Sequence, residues 1–154
     1  MPRCRNYNPK GARADAPRSS HWEFSWPQRV YYQHTDAAGV VYHGNYLDFM
    51  ESARSELLQS LGMDVGNLAR RQHLLFMVHS VQIAYHKPAR LNDSLSVTAR
   101  VVRIGRARLV FVQSVKRGGE TLASAELTLA CIDARTNRPV GVPDEIRRKL
   151  EKTE

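Results

Sequence analysis

The sequence predicts an α+β fold in which an antiparallel, curved sheet wraps around one long central helix. Three observations carry this expectation. A single stretch, beginning at Asn45, repeats apolar residues at helical spacing over about four turns. Four apolar, alternating stretches then follow one another between Leu74 and Asp133. The links between them are short and hold no crossover helix, which excludes a parallel α/β sheet.

In chain order, residues 1–21 are rich in Pro, Arg, Ser and Gly, so this basic N-terminal tail is expected to be disordered. Residues 22–154 form a single domain. A first strand is expected from Phe24 to Tyr32, with Val30, Tyr31 and Tyr32 its most β-prone part and Pro27 marking an edge or bulge. Asn45 reads as an N-cap, with Asp48 in the acidic first turn. Tyr46, Met50, Ala53, Leu57 and Leu61 make the apolar stripe, Leu47, Phe49 and Leu58 widen it, and Gly62 closes the helix. A polar connection from Asp64 to His73 is expected to hold a helical turn near Leu68. Leu74 to His86 is apolar on both faces, which suggests a central strand. Lys87-Pro88 stops it, and Arg90 to Asp93 make a turn. Ser94 to Arg103 alternates cleanly, Ile104 to Ala107 is a loop, and Arg108 to Lys116 is the next strand. Gly118-Gly119 is a tight hairpin signal before the last long strand, Thr121 to Asp133. A short basic helix opens near Pro143 and runs to Glu154, anchored by Ile146 and Leu150. There is no internal repeat.

Length and composition narrow the function classes. The 154 residues, 42% hydrophobic and 25% charged, suit one globular domain. No apolar run approaches the ~20 residues that span a bilayer, and the N-terminus lacks the apolar core of a secretory signal. Cys4 and Cys131 do not suggest a disulfide framework, so a cytoplasmic location is expected. Half of the net charge of +8 lies in residues 1–21, where five basic side chains face Asp15 alone. The remaining positive surface suits an anionic ligand, a phosphate-bearing carrier or an acidic partner. Nucleic acid is not expected, because no zinc-finger spacing, aromatic RNA-binding signature or basic recognition helix is present.

The chemistry concentrates between His34 and Arg54. Asp36 stands in Thr35-Asp36-Ala37-Ala38-Gly39, where small residues let the backbone turn tightly beside a carboxylate. Val40, Val41 and Tyr42 hold the loop against protein, and His43 and Gly44 lead into the helix. A carboxylate and an imidazole thereby arrive at the N-terminal end of a buried helix, where free N–H groups favour negative charge. That suits acyl chemistry, which needs an attacking group and a stabilised oxyanion. The bland alternatives are an Asp36 that caps its own turn and a His43 that satisfies backbone groups. His34, Asp36 and His43 are not expected to bind a metal, since three potential ligands in one loop rarely make a site.

Thr35 to Tyr46, continuing through Phe49-Met50-Glu51-Ser52-Ala53-Arg54, resembles the signature of hotdog-fold acyl-CoA thioesterases. The likeness is nearest to the 4-hydroxybenzoyl-CoA thioesterase family and, within it, to the type associated with the Tol–Pal system. It runs from about Val30 to about Val142 and includes Tyr85-His86-Lys87-Pro88-Ala89-Arg90-Leu91-Asn92-Asp93. The resemblance implies a hotdog dimer, often paired into a homotetramer, with active sites at the subunit interface. It implies a CoA or acyl-carrier-protein thioester as substrate, and no cofactor.

By the same resemblance Asp36 matches the catalytic carboxylate, acting as nucleophile or as general base on water. His43 matches the histidine that orients the carbonyl or water, or passes a proton to the leaving thiol. Tyr32, Tyr42 and Asn45 are candidates for lining the substrate. Glu51 is the rival acid, since a sister group of hotdog thioesterases uses a helical carboxylate; its plain reading is a pair with Arg54 or Ser55 across one turn. Arg103, Arg106 and Arg108 match by position and charge the basic residues that meet the CoA nucleotide, with Lys87 and Arg90 as further candidates. Their plain reading is a solvated, charged hairpin. Two other functions stay open at this stage. One is a non-catalytic acyl- or CoA-binding hotdog scaffold that docks on acyl-carrier protein or phospholipid-synthesis enzymes. The other is a nucleic-acid or membrane-surface binder working through the basic tail.

Overall fold

Residues that alternate in polarity become strands here because a helix covers one side of them. The computed structural model describes residues 23–153; the expectation of disorder for residues 1–21 lies outside them. Strands β1 (Phe24–Arg29), β2 (Leu74–Tyr85), β3 (Ser94–Ile104), β4 (Arg108–Arg117), β5 (Glu120–Asp133) and the two-residue β6 (Arg138–Pro139) form one antiparallel sheet. Its order is β1-β3-β4-β5-β2, with β6 paired to β5. Helix α1 (Asn45–Ser60) crosses the concave face over β1, β3 and β4. Tyr46, Phe49, Met50, Ala53, Leu57 and Leu58 of α1 are buried in one core with the alternating Leu95, Val97, Ala99 and Val101 of β3. Each large side chain so buried stabilises the fold by roughly 1.5–3 kcal/mol, so this stripe holds the helix on the sheet.

Local signals explain most boundaries. Gly62, at φ +75°, ends α1: its N–H donates to the Gln59 carbonyl, and the Met63 N–H donates to the Leu58 carbonyl. Gly118 and Gly119 both have positive φ and form the two-residue turn between β4 and β5, with Arg117 opposite Glu120. The turn expected near Leu68 is a full helix, α2 (Val65–Gln72), capped by the Asp64 side chain accepting the Asn67 N–H. Helix α3 (Asp144–Glu151) buries Ile146 and Leu150, as their spacing requires.

Three expectations are corrected. Gly44, not Asn45, holds the cap position of α1; Asn45 is the first helical residue, and its amide donates to the His34 carbonyl at 2.8 Å. The first strand stops at Arg29. Val30 is fully buried and exchanges backbone hydrogen bonds with Asn92 and Asp93, and Tyr32–His34 then coil into a 3-10 turn. There the Tyr31 N–H donates to His34 Nδ1 and the Thr35 hydroxyl to the Tyr32 carbonyl, so local side-chain partners override β-propensity.

The third correction concerns β2, which is an edge strand rather than a central one. A bulge at His79, between Val78 and Ser80, also changes its phase. Phe76, Val78, Val81, Ile83 and Tyr85 lie opposite Cys131, Leu129, Leu127, Ala125 and Ala123, and so share the concave face. Unbroken alternation would place Val78 with Ser80 and Gln82 instead. With α1 seated over β1, β3 and β4 of that face, Val78 stays 52% exposed, Val81 40% and Tyr85 47%.

Candidate active site

Asp36 shows how one carboxylate can serve a turn and remain available. Its backbone N–H donates to Val40, its carbonyl accepts from Gly39 at φ +75°, and Oδ1 accepts the Ala38 N–H at 2.8 Å. Those bonds close the loop that the small residues permit. Oδ2 accepts from no group among the described residues, and the carboxylate is in no ion pair among them. The turn-capping reading is therefore correct for one oxygen, and the other is unpartnered among the described residues.

The loop is clamped from two sides. Val41 is buried and donates its N–H to the Ala89 carbonyl; the Ala89 N–H donates to the Tyr46 hydroxyl at 3.0 Å. The Tyr42 N–H and the Asn45 amide both donate to the His34 carbonyl. Gly44 lets the Tyr42 ring lie against the start of α1, since a Cβ would sit 2.8 Å from that ring and displace it. His43 consequently projects just before α1, exposed, with its ring 4.3 Å from that of Tyr42. Asp36, Val41, His43, Tyr46, Tyr85 and Lys87 line a common open cleft of about 320 Å³ at the N-terminal end of α1.

The other residues singled out by sequence are placed as follows. Lys87 borders the cleft, with Nζ 2.7 Å from Glu120. Arg117 bridges Glu120 and Asp93, and the Arg90 N–H donates to Asp93, so a chain of ions pins the 86–93 loop beside Asp36. The hydrogen bond from Lys87 leads in holding the Glu120 carboxyl below its ordinary pKa. At Asp93 desolvation pushes upward, but the Arg90 N–H and the Arg117 guanidinium outweigh it and leave a net downward shift. Tyr42 is half exposed, Tyr32 is 84% exposed, and neither borders the cleft within one chain.

Glu51 lies elsewhere, on the exposed face of α1 beside Asp48, Ser52 and Glu56. The expected Glu51–Arg54 pair is absent among the described residues, because Arg54 turns inward. Its Nη1 donates to Gln113 Oε1 at 2.7 Å, and Gln113 Nε2 donates to the carbonyls of Met50 and Thr98. This bridge ties α1 to β3 and β4, and burial lowers the Arg54 pKa against the opposing Glu51 charge. Arg103, Arg106 and Arg108 are exposed and belong to no ion pair among the described residues. They sit where β3 ends and β4 begins, at the opposite end of the sheet from Asp36.

Among the cleft residues that sequence reasoning did not single out as site residues are two tyrosines, Tyr85 and Tyr46. Their spacing marks them only as strand and helix core, and no local signal reveals where their hydroxyls point. Cys131 is no rival nucleophile: burial pushes its thiol up to about 11, far from a thiolate at neutral pH. Among the described residues no group of three or more His, Cys, Asp or Glu is arranged to hold a metal ion.

A curled antiparallel sheet around one helix, with the Asp36 carboxylate bordering a cleft at the helix start, is the hotdog architecture expected of a thioesterase. The profile of the thioesterase-like superfamily matches residues 30–150, and the chain belongs to that family. The acyl-CoA thioesterase YbgC of Haemophilus influenzae is 40% identical over 124 residues, which are 80% of this chain and 91% of the relative. The acyl-CoA thioester hydrolase YbgC of Escherichia coli is 36% identical over 80% of this chain and 92% of its own. A solved structure of a probable thioesterase from Bartonella henselae superposes with a TM-score of 0.76 at 32% identity, covering 79% of this chain and 99% of that one.

Proposed function

We propose that the protein hydrolyses acyl-CoA thioesters at the cleft beside Asp36, releasing a free acid and a thiol. The observation that carries this reading is the free Oδ2 of Asp36 in a cleft shared with His43 at the start of a 16-residue helix. As a general base, Asp36 takes a proton from water while the water oxygen attacks the thioester carbon. The resulting oxyanion meets N–H groups at the positive end of α1, and its collapse expels the thiolate, to which His43 delivers a proton. As a nucleophile, Asp36 would instead form a mixed anhydride that water then opens. Both routes need an ionised, unencumbered oxygen.

A homodimer would supply what one chain lacks. The exposed edge of β2 offers unpaired backbone groups and the apolar Val78 and Val81 to a second copy. Antiparallel pairing of two β2 strands about a twofold axis would set the start of one against the end of the other. The partner's β3–β4 turn, carrying its Arg103, Arg106 and Arg108, then lies at the Asp36 end of the joined sheet. Those arginines would meet the CoA phosphates, with Lys87 and Arg90 closer to the thioester. Tyr32, Tyr42 and Asn45 would complete the substrate wall in that dimer. Pairing of dimers into a tetramer, acyl-carrier protein as a second thiol carrier, and the Tol–Pal-associated type extend the proposal through the motif from Thr35 to Arg54.

Thiol release measured on a panel of acyl-CoAs tests this reading. The native protein should turn over at least one member, and Asp36→Asn should lose about 10³-fold in kcat while remaining folded. A folded native protein that binds CoA yet hydrolyses no CoA or carrier-protein thioester would be a scaffold instead.

A further inference from the structure

We propose that Tyr85 is a positioning residue for His43, joining the histidine to the edge of the sheet through its main-chain carbonyl. This rests on the assignment of Asp36 and His43 to thioester hydrolysis. Tyr85 is the last residue of β2 and lies on the concave face, where its hydroxyl donates to the His43 carbonyl at 2.9 Å. Its ring stands edge-on to that of His43 at 6.4 Å and to that of Tyr46 at 5.3 Å. Tyr46 is itself buried and fixed by the Ala89 N–H, so Tyr85 is braced by a rigid neighbour. His43 needs such a brace. It is exposed, it stands one residue ahead of the α1 cap, and its imidazole has no hydrogen-bond partner among the described residues.

The chemistry of the phenol fits the role. Desolvation, followed by the neighbouring Tyr46 and Tyr42, raises its pKa, so it remains a proton donor throughout the neutral range. Sequence places Tyr85 and His43 in different elements, 42 residues apart. The fold makes them one unit, because the backbone that carries the imidazole is tied to the end of β2 beside the cleft that Asp36 borders. A misplaced general acid loses rate without losing substrate affinity.

The test is Tyr85→Phe, which keeps the ring and deletes the donor, assayed in the full-length protein with an acyl-CoA that the native protein turns over. The kcat should fall about fivefold, the equivalent of one ordinary hydrogen bond, with KM within about twofold. In a His43→Ala background the same change should cost less than about twofold, because there is no imidazole left to position. An unchanged kcat overturns the proposal, as does a rise in KM alone, which would make Tyr85 a substrate contact. Equal losses in both backgrounds, a fall in Tm without loss of kcat, or full activity of His43→Ala overturn it too. The underlying reading fails separately: Asp36→Asn with native turnover would end it. Loss in Asp36→Asn beside a fully active Tyr85→Phe removes only the positioning role.

Discussion

The two ends of the sheet carry charge in opposite ways. At the Asp36 end cations are tied to anions: Lys87 to Glu120, Glu120 to Arg117, and Arg117 to Asp93. Those bonds pin a loop beside a carboxylate that keeps one oxygen unpartnered among the described residues. At the far end Arg103, Arg106 and Arg108 are exposed with no acidic partner among the described residues. Paired charge fixes geometry, and unpaired charge is available to a ligand. The edge strand β2 runs from one end to the other, with Val78, Val81 and Tyr85 of its concave face exposed. In the proposed homodimer, each end would complete the site that the other chain begins.

The largest effect should come from breaking that union. Val81→Lys places a charge on the concave face of β2, 40% exposed in a single chain. It should yield a folded monomer by sedimentation, with activity reduced about 100-fold or more, since desolvating a lysine in an apolar interface costs several kcal/mol. A smaller effect belongs to the far end. Arg106→Ser together with Arg108→Ser should raise KM for acyl-CoA about tenfold while leaving KM for a pantetheine thioester, which lacks the nucleotide, unchanged. The smallest belongs to the ion chain. Asp93 and Glu120 have lowered pKa values, so their contribution to stability is present above the ordinary carboxylate pKa and lost as pH falls from there through the lowered pKa of the folded state. A Tm measured from pH about 5 to about 3 should therefore decline less steeply in Arg117→Met than in the native protein.

Much of this was legible in sequence, for identifiable reasons. The α1 stripe, the Gly62 stop, the Gly118-Gly119 turn and the alternation of β3 are each dictated within a few residues, so local pattern suffices. Asp36 and His43 stood out because a tight turn and a helix start adjoin in the chain. What escaped depends on neighbours distant in sequence. Apolar residues on both faces of β2 say that something covers it, not whether that cover is a strand of the same chain. The His79 bulge leaves no compositional mark, so unbroken alternation puts Val78 on the wrong face. Arg54 reads as a surface partner of Glu51 until Gln113, 59 residues later, draws it inward. Tyr85 shows the same limit, since its role is set by where its hydroxyl ends.

The most direct measurement mixes two impaired proteins, Asp36→Asn and the Arg106→Ser/Arg108→Ser double variant, and follows thiol release at low acyl-CoA after subunit exchange. If each site takes its carboxylate from one chain and its arginines from the other, every heterodimer regains one intact site. Activity should then rise to about a quarter of the native value at equal mixing. Activity that stays at the average of the two parents would show that both groups act within one chain or not together at all, and would contradict the composite site.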